Sequence, residues 1–202
     1  MRRFDGTRLL IATHNAGKLD EFRQIMTPLG ITVTSAADHN LPEPPETGTT
    51  FIENARIKAH AAAQATGLPA LADDSGLEVA ALNGAPGVYT ADWAETPTGR
   101  DFVAAMEKTH AALIARGAPQ PWQARFCCTL VLAWPDGHDE VFAGHAAGTL
   151  VWPRRGQDGH GYDPMFQPEG ETRTFAEMRA EEKNALSHRG AAIARLMQGC
   201  FS

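Results

Sequence analysis

The sequence of 202 residues predicts an α/β fold with some α+β character, in which helices flank one elongated mixed central sheet. Apolar runs that are short enough to be strands alternate with segments of helical periodicity. A strong turn signal, Pro135-Asp136-Gly137, separates two later apolar segments and predicts a hairpin. A chain of this length with 43% hydrophobic residues can also bury one substantial core. We therefore expect a single domain over residues 1–202, with a strand order that these patterns leave open.

The chain is predicted to open as strand, loop, helix and strand. Residues 9–13 form a short apolar run, and Asn15 soon after it is a favourable residue to cap the first turn of a helix. Apolar side chains then recur at helical spacing until Gly30, and residues 31–34 alternate as a strand. The apolar positions of this helix are Leu19, Phe22, Met26 and Leu29.

A second helix is expected after a proline-rich surface loop over residues 35–48. Thr50 and Glu53 have the spacing of a capping box, and Gly67 ends the helical pattern. The face of this helix that should turn inward carries mostly small residues, namely Ile52, Ala55, Ala59, Ala62 and Ala63.

The second half of the chain predicts a helix, a hairpin, a glycine-rich loop and a final helix. The final helix should point Ala185, Ile193, Leu196 and Met197 inward. In order, the predicted elements are a helix ended by Gly117, strands over residues 124–134 and 140–147, a short strand over 149–152, a polar loop over 154–163 and a helix over about 180–198.

Composition excludes several classes of protein. The net charge of -6 has the wrong sign for a protein that grips a nucleic-acid polymer or an anionic membrane. The longest apolar run, residues 126–134, is too short to span a bilayer, and residues 9–12 are too short for the core of a signal peptide. The three cysteines lack metal-ligand spacing and favour reduced core thiols. We expect a cytoplasmic protein.

The segment Thr13-His14-Asn15-Ala16-Gly17-Lys18 lies where the first strand leads into a helix. Such a loop offers backbone N–H groups, a hydroxyl, an amide and an ammonium group to an anion, and this chemistry suits phosphate. The spacing is neither that of a Walker A loop nor that of a dinucleotide-binding loop. By itself the segment is more typical of a capped helix with a solvated lysine.

A short strand over residues 70–72 runs into Asp73-Asp74-Ser75-Gly76, after which residues 77–82 resume an extended structure. With Glu46 from the preceding loop, these residues could gather three carboxylates. Oxygen ligands of this kind hold Mg²⁺ when a substrate phosphate completes its coordination, and a carboxylate there could activate a water molecule. The alternative is an ordinary turn, because Asp-Asp-Ser-Gly also favours turns.

Two later segments carry groups that could bind a nucleoside. Gly159-His160-Gly161-Tyr162-Asp163-Pro164 combines a flexible backbone with an aromatic ring and a carboxylate. Lys183, His188 and Arg189 lie close together near the last helix. His188 and Arg189 are neighbouring donors suited to the carbonyl oxygen of a base or to phosphate, although a solvated helix surface would have the same sequence.

Taken together, these segments resemble the inosine/xanthosine triphosphate pyrophosphatase family. The resemblance covers about residues 8–197, and six motifs in the same order are far more specific than any one alone. The motifs are Thr13-x-Asn15-x-x-Lys18, Glu46-Thr47-Gly48-x-Thr50-Phe51-x-Glu53-Asn54-Ala55, Ala72-Asp73-Asp74-Ser75-Gly76-Leu77, Gly84-Ala85-Pro86-Gly87-Val88-Tyr89, Gly161-Tyr162-Asp163-Pro164-Met165-Phe166 and Lys183-x-Ala185-Leu186-Ser187-His188-Arg189-Gly190.

The resemblance implies an enzyme that uses Mg²⁺ to hydrolyse deaminated purine nucleoside triphosphates (ITP, dITP and XTP) to the monophosphate and pyrophosphate. It also implies two lobes around an active-site cleft, and a homodimer. Asp74 would act on the water molecule, and Glu46 and Asp74, with Asp73, would hold the metal. Thr13, His14, Asn15, Ala16, Gly17 and Lys18 would bind the triphosphate, and Ser75, His160, Gly161, Tyr162, Asp163, Lys183, His188 and Arg189 would enclose the nucleoside.

One position departs from the family pattern. The family commonly has phenylalanine where this chain has His160, and that ring is expected to stack on the base. Imidazole stacks more weakly, so the departure concerns affinity for the base rather than the type of reaction.

Two other functions fit the same residues. A related pyrophosphatase for pyrimidine or modified nucleotides would share the phosphate and metal groups and differ in the wall around the base. A nucleotide-binding sensor without turnover would need no water-activating carboxylate. The presence of Glu46, Asp73, Asp74 and Lys18 therefore argues against it.

Overall fold

The computed structural model describes residues 1–201 and contains a six-stranded mixed sheet with helices around it, as the sequence predicts. The strand order is β2-β1-β3-β6-β7-β8, and β4 and β5 form a separate two-stranded sheet. The strands are β1 (Arg8–Ile11), β2 (Thr32–Ser35), β3 (Ala70–Val79), β4 (Glu95–Thr96), β5 (Gly99–Arg100), β6 (Trp122–Ala133), β7 (Asp139–Leu150) and β8 (Phe166–Pro168). The α-helices are α1 (Ala16–Met26), α2 (Phe51–Thr66), α3 (Phe102–Ala115), α4 (Ala180–Leu186) and α5 (His188–Leu196).

Both parallel and antiparallel pairs occur in the large sheet. β1 pairs in parallel with β2, where Leu9 lies opposite Val33, and with β3, where Ile11 lies opposite Leu71. β7 and β8 are antiparallel. No helix within residues 1–201 combines the length and the apolar character needed to cross a bilayer.

The residues divide into two compact units. The first unit contains Met1–Asp74, Thr129–Ala143 and the chain from Ala192 onward, and the second contains Ser75–Cys128 and Gly144–Ala191. β3, β6 and β7 each run through residues of both units.

The core of the first unit forms where α2 packs its small residues against the sheet. Ala55, Ala59, Ala62 and Ala63 are buried, and they cluster with strand residues such as Leu10. The predicted capping box is present, with Thr50 accepting from the Glu53 N–H, and Gly67 ends the helix in the left-handed conformation. Ile52 differs from the expectation, because its side chain is exposed.

The second unit has an aromatic core. Phe126, Phe166 and Phe175 are buried and pack with their ring centroids 4.6 to 6.1 Å apart. Tyr162 is buried as well, with its ring edge towards Phe102 at 6.0 Å. These contacts fix the segment that precedes β8.

Asp73-Asp74-Ser75-Gly76 does not form the turn considered as an alternative, and the predicted break in the strand is wrong. All four residues belong to the continuous strand β3. The pairing of β3 with β1 reaches only Leu71, but β3 also neighbours β6 in the sheet, so pairing between distant segments outweighs the local preference of these residues for a turn. The consequence is that Asp73 and Asp74 are held on a rigid, buried backbone.

Three other predicted elements have different bounds. The strand predicted over residues 149–152 is the end of β7, where Gly148 allows a close approach, because a Cβ there would lie 2.3 Å from the Gln167 carbonyl oxygen. α1 ends at Met26, which leaves Leu29 exposed. The final helix is interrupted at the extended residue Ser187, so Ala185 is exposed rather than inward, although Ile193 and Leu196 are buried.

Candidate active site

The loop from Thr13 to Lys18 is an ordered helix start. The Asn15 side chain caps α1 by accepting from the Lys18 backbone N–H at 3.1 Å, and Thr13 Oγ1 accepts from the Asn15 N–H at 3.1 Å. His14, Asn15, Ala16 and Gly17 are exposed. The loop therefore presents the positive end of a helix to the solvent, as an anion site requires.

Lys18 turns its side chain towards β3. Its Nζ lies 2.7 Å from Asp73 Oδ2, and Asp73 is buried. Successive side chains of a strand point to opposite faces, so Asp73 and Asp74 reach different lysines. Asp73 thus has a partner of its own within the first unit.

Lys58 on α2 stands between two carboxylates of the first unit, and sequence analysis did not single it out. Its Nζ lies 2.5 Å from Glu46 Oε1 and 3.9 Å from Asp74 Oδ1. The sequence does contain a signal for Lys58. Asn54 and Lys58 are four residues apart, so both lie on one face of α2. A polar pair on the alanine-rich face of a helix indicates a task other than packing.

Asn54 links the loop that carries Glu46 to Asp74. Asn54 is buried, its Oδ1 accepts the Gly48 N–H at 2.8 Å, and its side chain also hydrogen-bonds to Asp74. The backbone of Gly48 packs so closely on α2 that a Cβ there would lie 2.6 Å from Asn54 Oδ1. This close packing places Glu46 beside Lys58.

The environment of Asp74 shifts its acidity. Burial raises the pKa of the Asp74 carboxyl from 3.8 to about 6, with the Lys58 charge opposing the rise and Glu46 adding to it. Burial alone would lower the pKa of Lys58, but the nearby carboxylates of Asp74 and Glu46 raise it above its usual value. Lys58 is accordingly a permanent ammonium ion, whereas Asp74 can exchange a proton near neutral pH.

The donor set fits a magnesium ion that is completed by phosphate. No group of three or more histidine, cysteine, aspartate or glutamate side chains within residues 1–201 is arranged to hold a metal by itself. Glu46 and Asp74, however, already share one cation, the Lys58 ammonium group. Mg²⁺ is usually bound through one or two carboxylates together with substrate phosphates, so this pair suffices.

In the second unit, Asp163 organises the groups predicted to bind the nucleoside. Asp163 is buried, and its Oδ2 accepts both the His160 backbone N–H at 2.6 Å and the Lys183 ammonium group. Gly159 has a positive φ of 79°, and a Cβ there would lie 2.2 Å from the same oxygen. The loop therefore wraps tightly around Asp163 and leaves the His160 side chain exposed.

The remaining residues predicted to bind the nucleoside lie in different surroundings. The His188 ring stacks on Phe126, with centroids 4.9 Å apart and planes inclined by 15°. Burial raises the pKa of the Tyr162 hydroxyl to about 12, so Tyr162 is a core residue of this loop. Gly161, Ser75 and Arg189 are half-buried.

Comparisons with known proteins agree with this arrangement of motifs. The Ham1 family model matches residues 9–199. The dITP/XTP pyrophosphatase of Ruegeria pomeroyi is 64% identical over 200 residues, which cover 99% of this chain and 98% of that protein. The dITP/XTP pyrophosphatase of Rhizobium meliloti is 56% identical over 212 residues, which cover 100% of this chain and 99% of that protein.

Two solved structures are similar over almost the whole chain. A HAM1 protein from Coxiella burnetii superposes with a TM-score of 0.90 at 38% identity, covering 96% of this chain and 98% of that one. A nucleoside-triphosphatase, dITP/XTP pyrophosphatase, from Mycobacterium abscessus superposes with a TM-score of 0.80 at 39% identity, covering 94% and 98%.

Proposed function

The chain belongs to the Ham1 family, and on that premise we propose that it hydrolyses deaminated purine nucleoside triphosphates to the monophosphate and pyrophosphate. The observation that carries the proposal is the buried carboxylate of Asp74, which shares the Lys58 ammonium group with Glu46. Such a group of charges suits a reaction in which a polyanion and a cation must be held while water is activated.

The first unit supplies the groups for the triphosphate. The N-terminus of α1 and the ordered loop from Thr13 to Lys18 offer N–H groups to phosphate oxygens. Lys18 and Lys58 can each move from a carboxylate to a phosphate oxygen without leaving their charge uncompensated. These contacts would orient the α-phosphorus for attack by water.

Glu46 and Asp74 are proposed to hold Mg²⁺. Asp73, the third carboxylate expected to hold the metal, pairs with Lys18. When bound there, Mg²⁺ would draw electron density from the phosphate oxygens and favour the departure of pyrophosphate. Asp74 would accept the proton of the attacking water as the new oxygen–phosphorus bond forms and the bond between the α-phosphorus and its bridging oxygen breaks. The hydrogen bond from Asn54 would help to orient the Asp74 carboxylate for this step.

The second unit supplies the groups proposed for the nucleoside. Hypoxanthine and xanthine carry an oxygen at position 6 where adenine carries an amino group. Donors such as His188 and Arg189 can bind that oxygen. If adenine were bound instead, these donors would have no acceptor at position 6. A buried polar group that loses its partner costs about 1–3 kcal/mol, which is enough for useful discrimination.

A substrate panel tests the proposal. Purified protein with Mg²⁺ is given ITP, dITP, XTP, GTP, ATP, dUTP and UTP, and pyrophosphate and orthophosphate are measured separately. We expect pyrophosphate from the first three at a much higher kcat/KM than from ATP or the pyrimidine nucleotides. Preference for dUTP or UTP would favour the pyrimidine pyrophosphatase, and binding of ITP without turnover would favour the sensor.

The proposal also includes a single domain, a homodimer and a cytoplasmic location. Light scattering measures the mass of the purified protein in solution. A homodimer should have twice the 21.7 kDa mass of one chain. Cell fractionation tests the location.

A further inference from the structure

Lys58 occupies a position that a divalent cation would also favour. We propose that Lys58 competes with the divalent cation for Glu46 and Asp74, so that the protein binds the cation together with a triphosphate and not before it. The inference rests on the proposed function, because it concerns the same two carboxylates. On this proposal, Lys58 determines the order in which the cation and the triphosphate bind.

Lys58 is held in a largely enclosed position beside both carboxylates. Its ammonium group lies 2.5 Å from Glu46 and 3.9 Å from Asp74, and its side chain is only 12% exposed. Lys58 is therefore not a surface lysine with a transient partner. It extends from the middle of α2, a helix capped at both ends, so its starting point is fixed.

The carboxylates of this region outnumber the lysines that pair with them. Asp73, Asp74 and Glu46 contribute three negative charges when ionised, and Lys18 and Lys58 offset two of them. A divalent cation that enters alone must displace the Lys58 ammonium group from two carboxylates. The displaced ammonium group then stays close to the cation, and the two positive charges repel each other. A triphosphate removes this difficulty, because its oxygens accept the displaced ammonium group and bind the cation as well.

The difference between Lys58 and Lys18 gives the proposal its specificity. Lys18 contacts Asp73, whereas Lys58 bridges the two carboxylates that are proposed to bind the cation. Removing the Lys58 charge should therefore strengthen binding of the free cation, although the same change weakens binding of the triphosphate. A residue that merely supports the fold would not produce opposite effects on the two ligands.

The experiment measures binding of Mn²⁺ alone, without nucleotide, by electron paramagnetic resonance and by calorimetry. The proteins are the wild type, Lys58→Met, Lys58→Arg and the control Lys108→Met, whose exposed side chain lies over the Trp93 ring. We expect Lys58→Met to bind Mn²⁺ at least about tenfold more tightly than the wild type, because a unit charge beside both carboxylates has gone. Lys58→Arg and Lys108→Met should bind as weakly as the wild type.

A second measurement needs no variant. The melting temperature of the wild type should stay constant with Mg²⁺ alone at millimolar concentration, and it should rise with Mg²⁺ and a non-hydrolysable ITP analogue together. A rise with Mg²⁺ alone, or equal affinity of Lys58→Met and the wild type for Mn²⁺, would overturn the inference. Neither result depends on turnover, whereas the proposed function fails if no triphosphate in the panel yields pyrophosphate.

Discussion

Lys58 follows Asn54 by four residues on α2, so both side chains reach the carboxylate of Asp74. One face of a single helix thus supplies a hydrogen bond and a positive charge to the group proposed to activate water. Both come from a helix whose start is fixed by a capping box and whose end is fixed by Gly67. The environment of Asp74 therefore depends on the placement of α2 as much as on β3.

Asp74→Asn should remove turnover and leave the fold intact. The amide has the same size as the carboxylate, but it cannot accept the proton of water and binds a cation weakly. We expect turnover with ITP to fall at least about a hundredfold, as removal of a general base commonly causes. Asp5→Asn, at an exposed position, serves as the control. Near-normal turnover of Asp74→Asn would transfer the role to another carboxylate, with Asp73 as the next candidate.

The same substitution should change how stability depends on pH in protein kept free of metal with EDTA. Because the pKa of Asp74 is raised from 3.8 to about 6 in the folded state, its contribution to stability is present below about pH 4 and is lost as the pH rises through 6. The free energy of unfolding of the wild type, minus that of Asp74→Asn, should therefore fall by about 2–3 kcal/mol over this range. Urea unfolding at pH 4, 5, 6 and 7 measures it, and a difference that does not change with pH would contradict the raised pKa.

Activity should depend on Mg²⁺ and increase towards alkaline pH. If Glu46 and Asp74 hold the metal, the attacking water must lose a proton during the reaction. A higher pH therefore raises the rate until this water is fully deprotonated. Initial rates with ITP, measured from pH 6 to pH 10 with and without EDTA, test both parts. Undiminished activity in EDTA would remove the metal from the proposal.

His160→Phe should lower the KM for ITP and change turnover little. The His160 side chain is exposed, and Asp163 hydrogen-bonds to the backbone of His160, so the substitution leaves the loop intact. A larger neutral ring stacks better on a purine than a partly hydrated imidazole, and uniform binding of this kind affects KM alone. Steady-state kinetics decide the question, since an unchanged KM would place His160 outside the base pocket.

Gly48→Ala should disturb the site from a distance. The added Cβ would lie 2.6 Å from both Asn54 Oδ1 and Glu53 Cβ, so the loop carrying Glu46 must move away from α2. We expect weaker binding of Mg²⁺ in the presence of substrate, seen as a higher Mg²⁺ concentration for half-maximal activity. Asp5→Asn, at an exposed position, serves as the control. Equal Mg²⁺ requirements in the two variants would show that the close packing at Gly48 is unimportant.

The parts of the site that could be predicted were those with strong local signals. Asn15 and the pair Thr50 and Glu53 cap helices through contacts within one turn, and the structure contains both caps as predicted. The continuity of β3 could not be predicted, because its place beside the distant strand β6 overrides the turn preference of Asp73 and Asp74. Lys58 was missed for a similar reason, since its partners are 12 and 16 residues away and meet it only in the folded chain.

The ion pairs of the lysines have a practical consequence for chemical labelling. The chain has four lysines, and Lys18, Lys58 and Lys183 each hold a carboxylate in a partly or largely buried pair. Lys108 is exposed, and its ammonium group lies over an indole ring instead of a carboxylate. Amine-directed reagents used in small excess should accordingly attach a fluorophore or a surface linker at Lys108, which leaves the lysines assigned to the nucleotide unmodified.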